Sequence, residues 1–184
     1  MKPQFKIFSR IALLVVGCAL CLGPAAHAAK EPAKTEQSKP AASPAAAALS
    51  MKDKSFMKDA AKGGMMEVDM GKMAQNKGKS AEVKKIGSRM VADHSKANAE
   101  LMAIAKKKGV DLSKEKPSMH KMDDANFDKQ YIDMMVKDHE KDLSAFQAEA
   151  KDGSDAEVKA FASKTSEVVK KHLEMVKAAQ AKMK

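Results

Sequence analysis

From Met51 to its C-terminus the chain contains a single proline, Pro117. Proline removes a backbone donor and breaks helices, so the long stretches on either side of Pro117 are free to run as helices. Ala, Lys, Glu, Met and Val fill them, and all but valine are strong helix formers. Ser50-x-x-Asp53 reads as a capping-box start and Asn76-Lys77-Gly78 as a stop, which predicts a first helix over 51–77. A second starts after Ser80, with Glu82 in its first turn. It ends in Lys106-Lys107-Lys108-Gly109, cations at the negative pole followed by a capping glycine. A third is expected from Asp123 or Asp124 to about Lys151, ahead of Gly153, and a fourth from a Ser154-x-x-Glu157 cap almost to Lys184. No strand alternation competes. Helices of this length, with two short turns and one connection of about fifteen residues, predict an all-α four-helix bundle, ferritin-like where that connection crosses its length.

Read at 3.6 residues per turn, each helix shows one inward stripe. The first carries Phe56, Ala60, Gly63, Glu67, Met70 and Ala74, and the second Val83, Ile86, Met90, His94, Ala97, Leu101 and Ile104. On the third lie Phe127, Ile132, Met135, His139, Leu143, Phe146 and Ala150, and on the fourth Val158, Phe161, Thr165, Val168, His172, Met175 and Ala179. Every stripe therefore has one ionisable residue near its middle: Glu67, His94, His139 and His172. Two of them sit in a repeated phrase, MVADHSK at 90–96 and MVKDHEK at 135–141.

Buried polar groups must be paired. One reading is an internal hydrogen-bond network, with Glu67 against an imidazole and the other histidines bonded to Asp, Thr165 or water. Another is a metal site, since neutral imidazoles with a carboxylate suit zinc, iron, manganese or copper. A third leaves a histidine partly solvated at the stripe's edge. Asp93 and Asp138 point about 100° away from the histidines that follow them, where they either orient an imidazole on a neighbouring helix or meet solvent. Counted from the turns, Glu67 and His94 are roughly 8 Å out of level, and His139 and His172 roughly 9 Å. With a crossing connection, Glu67 levels with His172 and His94 with His139, which predicts two polar layers. A separate soft-metal candidate is the loop Met119-His120-x-Met122, where thioethers and imidazole suit copper(I). The other methionines, Met65, Met66, Met70, Met73, Met134 and Met135, serve equally as adaptable core filler.

The N-terminal region is of another kind. Lys2, Lys6 and Arg10 precede the apolar run IALLVVGCALCLG, and Ala26-His27-Ala28 offers a small-x-small cleavage site, so residues 1–28 read as a secretory signal peptide. Val15-Val16-Gly17-Cys18 offers the alternative of a lipoprotein acylated at Cys18. Residues 29–50, rich in Ala, Pro, Lys and Ser, read as a disordered linker, and 51–184 as the bundle. Cys18 and Cys21 are the only cysteines, so the mature chain is expected to have neither disulfide nor thiolate ligand. Cleavage removes three of the basic residues behind the formal charge of +10, leaving about +7 spread along every helix. With one arginine, Arg89, and few aromatics, that charge lacks the basic stripe and base readers of a nucleic-acid protein. It suits loose association with an anionic envelope surface. No transmembrane helix is expected in the mature chain. The sequence has no Gly-x-Ser-x-Gly elbow, phosphate loop or dinucleotide fingerprint.

GGMMEVDMGKMA, VKKIGSRMVADHSKANAEL, FDKQYIDMMVKDHEKDLSAF and VKAFASKTSEVVKKHLEM, in that order, resemble the motifs of the bacterial family called domain of unknown function forty-one forty-two, over about residues 52–178. Its members often carry the label outer-membrane protein. The resemblance implies a ferritin-like bundle in the cell envelope and no established activity. Two departures qualify it. Val91, Val136 and Val169 stand three residues before the histidines, where di-iron bundles place glutamate, so ferroxidase chemistry is not implied. The connection between the second and third helices is also shorter than the family suggests. The expected function is a non-enzymatic envelope or stress role without a cofactor. The alternative is a protein that binds or handles copper, iron or another transition metal through Glu67, His94, His139 and His172, or through the Met/His loop.

Overall fold

The computed structural model describes residues 49–183; the expected leader, with Cys18, and nearly all of the expected linker lie outside the described residues. Four helices follow one another: α1 (Met51–Lys77), α2 (Ala81–Lys107), α3 (Phe127–Asp152) and α4 (Ala156–Ala181). Ser50 caps α1 as its capping box requires, its hydroxyl accepting from Asp53 N–H while the Asp53 carboxylate accepts from Ser50 N–H. At the end of α2, Gly109 takes a positive φ of 70°. Gly109 N–H then reaches Lys106 O and Val110 N–H reaches Ala105 O, the paired bonds of a Schellman stop.

Two starts differ from expectation. α3 begins at Phe127 because Asp123 is used in a turn, accepting from Ala125 N–H, and Asn126 makes no side-chain cap. α4 is capped by Asp155 rather than Ser154. The Asp155 carboxylate accepts from Glu157 and Val158 N–H, while Ser154 N–H donates to Asp53 and ties this turn to the start of α1.

Contacts at the helix ends fix the topology. Lys79 and Ser80 N–H, in the α1–α2 turn, donate to Asp128 at the start of α3. At the opposite end Lys107 and Lys108 pair with Glu157 and Asp155 at the start of α4. α2 and α3 therefore run parallel, and the connection between them travels the length of the bundle, about 40 Å for helices of this size. Buried Leu112 and the Lys62–Glu115 ion pair hold it down. α1 packs on α2 and α3, and α4 on the same two, leaving α1–α4 and α2–α3 as diagonals.

The core is divided. One apolar cluster, with Met70, Met90, Tyr131 and Met135, fills the half nearer the α1–α2 turn. Another, with Met57, Leu101, Phe146 and Phe161, fills the other half. Four fully buried methionines, Met57, Met70, Met90 and Met135, act here as core filler. Burial follows the expected stripe closely on α2. On the first half of α1 it is turned by one residue, to Met57, Ala61 and Gly64, and on α4 to Val169 and Val176. No helix among the described residues is long and apolar enough to cross a membrane.

Candidate functional site

Between the two apolar clusters lies one polar layer. Glu67 from α1, His94 from α2, His139 from α3 and His172 from α4 are all buried in it. The three imidazoles form a near-equilateral triangle, with ring centres 5.1, 5.4 and 5.6 Å apart. One ring nitrogen of each lies within 4.8 Å of the others. All four predicted residues thus meet in a single cluster, and the expected separation into two layers is wrong. Measured from the helix ends, Glu67 lies ten residues before the end of α1 and His94 thirteen after the start of α2. The offset is then three residues, about 4.5 Å. Cβ vectors tilt toward each helix's N-terminus, so in an antiparallel pair Glu67 leans away from the turn and His94 leans back toward it, which closes the gap. His139 and His172 repeat this geometry across the α3–α4 turn.

Each imidazole has one nitrogen committed to an oxygen. His172 Nε2 is 2.9 Å from Asp93 Oδ2, which only accepts, so this nitrogen carries the proton and Nδ1 is a lone pair. His139 Nδ1 donates to the Met135 carbonyl at 2.8 Å, with Glu67 Oε1 at 3.3 Å, and its Nε2 is left buried with no hydrogen-bond partner. His94 Nδ1 lies 2.8 Å from Glu67 Oε2, and its Nε2 lies 3.2 Å from His172 Nδ1. A single proton therefore defines two states. With Glu67 ionised, a proton on His94 Nδ1 faces it at 2.8 Å, and His94 Nε2, His139 Nε2 and His172 Nδ1 are left as lone pairs. With Glu67 protonated, it donates to His94 Nδ1, and His94 Nε2–H donates onward to His172.

Electrostatics keep the layer close to neutral. Burial pushes the Glu67 carboxyl up to about 7, against the pull of His139. Burial also lowers His94, His139 and His172 to about 4, so all three are neutral imidazoles at physiological pH. Burial would raise Asp93, but its bonds to His172 and Arg89 outweigh it and hold the carboxyl low. Asp93 thus orients an imidazole on a neighbouring helix. Asp138 does not; it stays half-buried beside a groove between α1 and α3, with Oδ2 unpartnered.

Sequence reasoning missed Asp142. It stands one turn after His139 on α3, and burial, then Glu67, raise its carboxyl to about 7. The i, i+3 spacing from His139 was the available signal. The three residues of the Met/His loop differ in surroundings. Met119 and His120 are exposed, whereas Met122 packs against the core. His120 instead reaches the α1–α3 groove beside Asp138 and Met66.

A sequence model of the family described as Domain of unknown function (DUF4142) matches residues 38–179, and the chain belongs to that family. Comparison with curated proteins gives no match. Among solved structures, the chain is similar to a DUF305 fragment from Deinococcus radiodurans, with TM-score 0.61 and 8% identity, covering 73% of this chain and 98% of that one. It is also similar to CopM in its Cu(I)-bound form, with TM-score 0.58 and 17% identity, covering 71% and 96%. At these identities the likeness shows the fold alone.

Proposed function

We propose that this member of the DUF4142 family is an exported, non-enzymatic protein of the cell envelope that binds one transition-metal ion through His94 Nε2, His139 Nε2 and His172 Nδ1. The observation that carries this reading is the direction of the other three nitrogens. Each faces an oxygen acceptor: Glu67 for His94, the Met135 carbonyl for His139 and Asp93 for His172. Metal-bound histidines are held in this way, the outer nitrogen donating so that the inner one offers its lone pair. Glu67 then orients His94 rather than binding the ion. A tetrahedral ion with bonds of about 2.0–2.1 Å separates its ligand nitrogens by roughly 3.4 Å. The 3.2 Å between His94 Nε2 and His172 Nδ1 suits that, and a ring nitrogen of His139 lies within 4.8 Å of one on each of the other two histidines. Neutral imidazoles suit copper and zinc, and the similarity to a copper-bound bundle makes Cu(I) the first ion to test beside Zn²⁺. The leader-like residues 1–28 support the envelope location.

A metal-free polar network is favoured by one observation of its own. The 3.2 Å contact from His94 Nε2 to His172 Nδ1 is also a good N–H···N hydrogen bond when Glu67 holds the proton. Thermal unfolding with and without added ion separates the two readings. A bound ion at a hundredfold its Kd stabilises the fold by about 2.7 kcal/mol, and Co²⁺ at the same site gives visible d–d bands of a tetrahedral nitrogen environment. No shift of Tm with Zn²⁺, Cu(I) or Co²⁺ contradicts the metal reading and leaves the network.

A further inference from the structure

Two grooves flank the histidine layer, and they differ in charge. Between α2 and α4, Arg89 pairs with Asp93 and Lys164 with Glu100, which leaves an excess of one cation, Lys96. Between α1 and α3, a groove of about 420 Å³ has the opposite balance, with Asp59, Asp138 and Asp142 against Lys62 and Lys141. Lys62 is itself neutralised by Glu115 of the crossover. Beside the histidine layer a small cavity, with room for about one water, is lined by Glu67, His94 and Thr165. Asp142, Ala60 and Phe146 line both this cavity and the α1–α3 groove, so the two are neighbours across a single carboxylate.

Three further observations concern the wall between them. Glu67, 1% exposed, lines the small cavity and has an Oε1 without a hydrogen-bond partner. Asp138, which lines the groove, likewise has a buried Oδ2 without a partner. The α1 residue opposite Asp142 is Gly63, whose added Cβ would come 3.8 Å from Asp142 Oδ2, so glycine leaves that oxygen uncovered. A cation in the groove thus meets the Asp138 and Asp142 carboxylates, then an under-bonded buried glutamate, then the imidazoles.

We propose that metal ions reach the three-histidine site through the α1–α3 groove, with Asp142 as the transfer group at the inner wall. This rests on the metal-binding reading above. The α2–α4 groove also touches His94, but its excess cation opposes a cation's approach. Asp142 is a positioning residue for the moving ion rather than a ligand in the final site.

Stopped-flow loading of the full chain with Zn²⁺, reported by a chromophoric chelator, tests the route, with release measured in the reverse direction. Asp142→Asn is expected to slow loading roughly tenfold, as loss of local steering does. Gly63→Leu, which covers the carboxylate, is expected to slow loading and release by the same factor and leave the equilibrium affinity unchanged. Lys164→Gln, on the other groove, is expected to load at least as fast as wild type. Wild-type rates in both Asp142→Asn and Gly63→Leu, with Zn²⁺ bound normally, overturn the route while leaving the site intact. A wild-type chain that takes up none of Zn²⁺, Cu(I) or Co²⁺ overturns the site and the route together.

Discussion

At the scale of single residues, which ionisable groups lie in the core was readable and how they meet was not. Glu67, His94, His139 and His172 stand out because each interrupts an apolar stripe, and a one-dimensional period is enough to find them. Their convergence depends on Cβ tilt and on where each helix ends, and neither enters a residue count. Asp142 and Glu149 went unnoticed because acidic residues on Lys-rich helices read as solvated until packing buries them. Two predictions belong here. His139 is the histidine whose inner nitrogen has no partner, so in chelator His139→Leu should leave Tm unchanged or raised, a buried unmatched acceptor having been removed. With metal, the same variant should lose the ligand-induced rise in Tm. A large loss of stability in chelator would show instead that His139 is needed by a network.

The second concerns Glu149, buried beside Asp53 and within reach of Lys52 on α1 and Lys159 on α4. Burial, then Asp53, push its carboxyl up to about 7, above its ordinary 4.5. Burial would raise Asp53 too, but the Ser154 and Ser50 N–H groups outweigh it and hold the carboxyl at about 2. Between pH 4.5 and 7 the folded chain keeps a proton on Glu149 that the unfolded chain has released. Stability contributed by this group is therefore full below 4.5 and lost as pH rises through 7. Glu149→Gln, which keeps a donor toward Asp53 at every pH, should remove that slope and raise stability at pH 8 by about 1 kcal/mol. Urea unfolding across pH 4–8 measures it; an unchanged slope would refute the assignment.

At the scale of elements, propensity and capping predicted α1 and α2 well, because the Ser50 and Ser80 hydroxyls cap their own helices and Gly109 takes the positive φ that a Schellman stop needs. They failed at the starts of α3 and α4, where Asp123 is used in a local turn and the Asp155 carboxylate takes the cap expected of Ser154. Glycines show the same limit. In sequence Gly63, Gly71 and Gly87 are equal flaws in helices. In the fold, an added Cβ at Gly87 would fall 2.6 Å from Gly71 O and 2.8 Å from Ala74 Cβ, because α1 and α2 approach closely there. Gly87→Ala should therefore destabilise by about 1–3 kcal/mol despite alanine's better helix propensity. Gly63→Ala, meeting only Asp142 Oδ2 at 3.8 Å, should stabilise by up to about 1 kcal/mol. Thermal unfolding of both variants checks the contrast, and equal effects would contradict the close approach at Gly87.

At the scale of the whole molecule, a bundle with two apolar halves and a polar waist invites the question of why the waist is kept. A fully apolar layer of the same volume would be no less stable, since buried polar groups gain little over well-packed hydrocarbon. Four titratable residues, one from each helix, with three imidazoles oriented from outside by oxygen acceptors, suit a bound ion better than a structural need. Sequence could supply the four-helix architecture through caps and periodicity, and the family through its motifs. It could not supply the donor directions on the imidazoles, which exist only once the helices are packed. Those directions carry the central claim, and the most direct test is metal content. The protein isolated without chelator, beside His94→Gln/His139→Gln, is measured for copper and zinc per chain. Close to one ion per wild-type chain, and none in the double variant, is expected. Folded wild-type protein without copper or zinc, whose Tm does not move when either ion is added, would contradict the central claim.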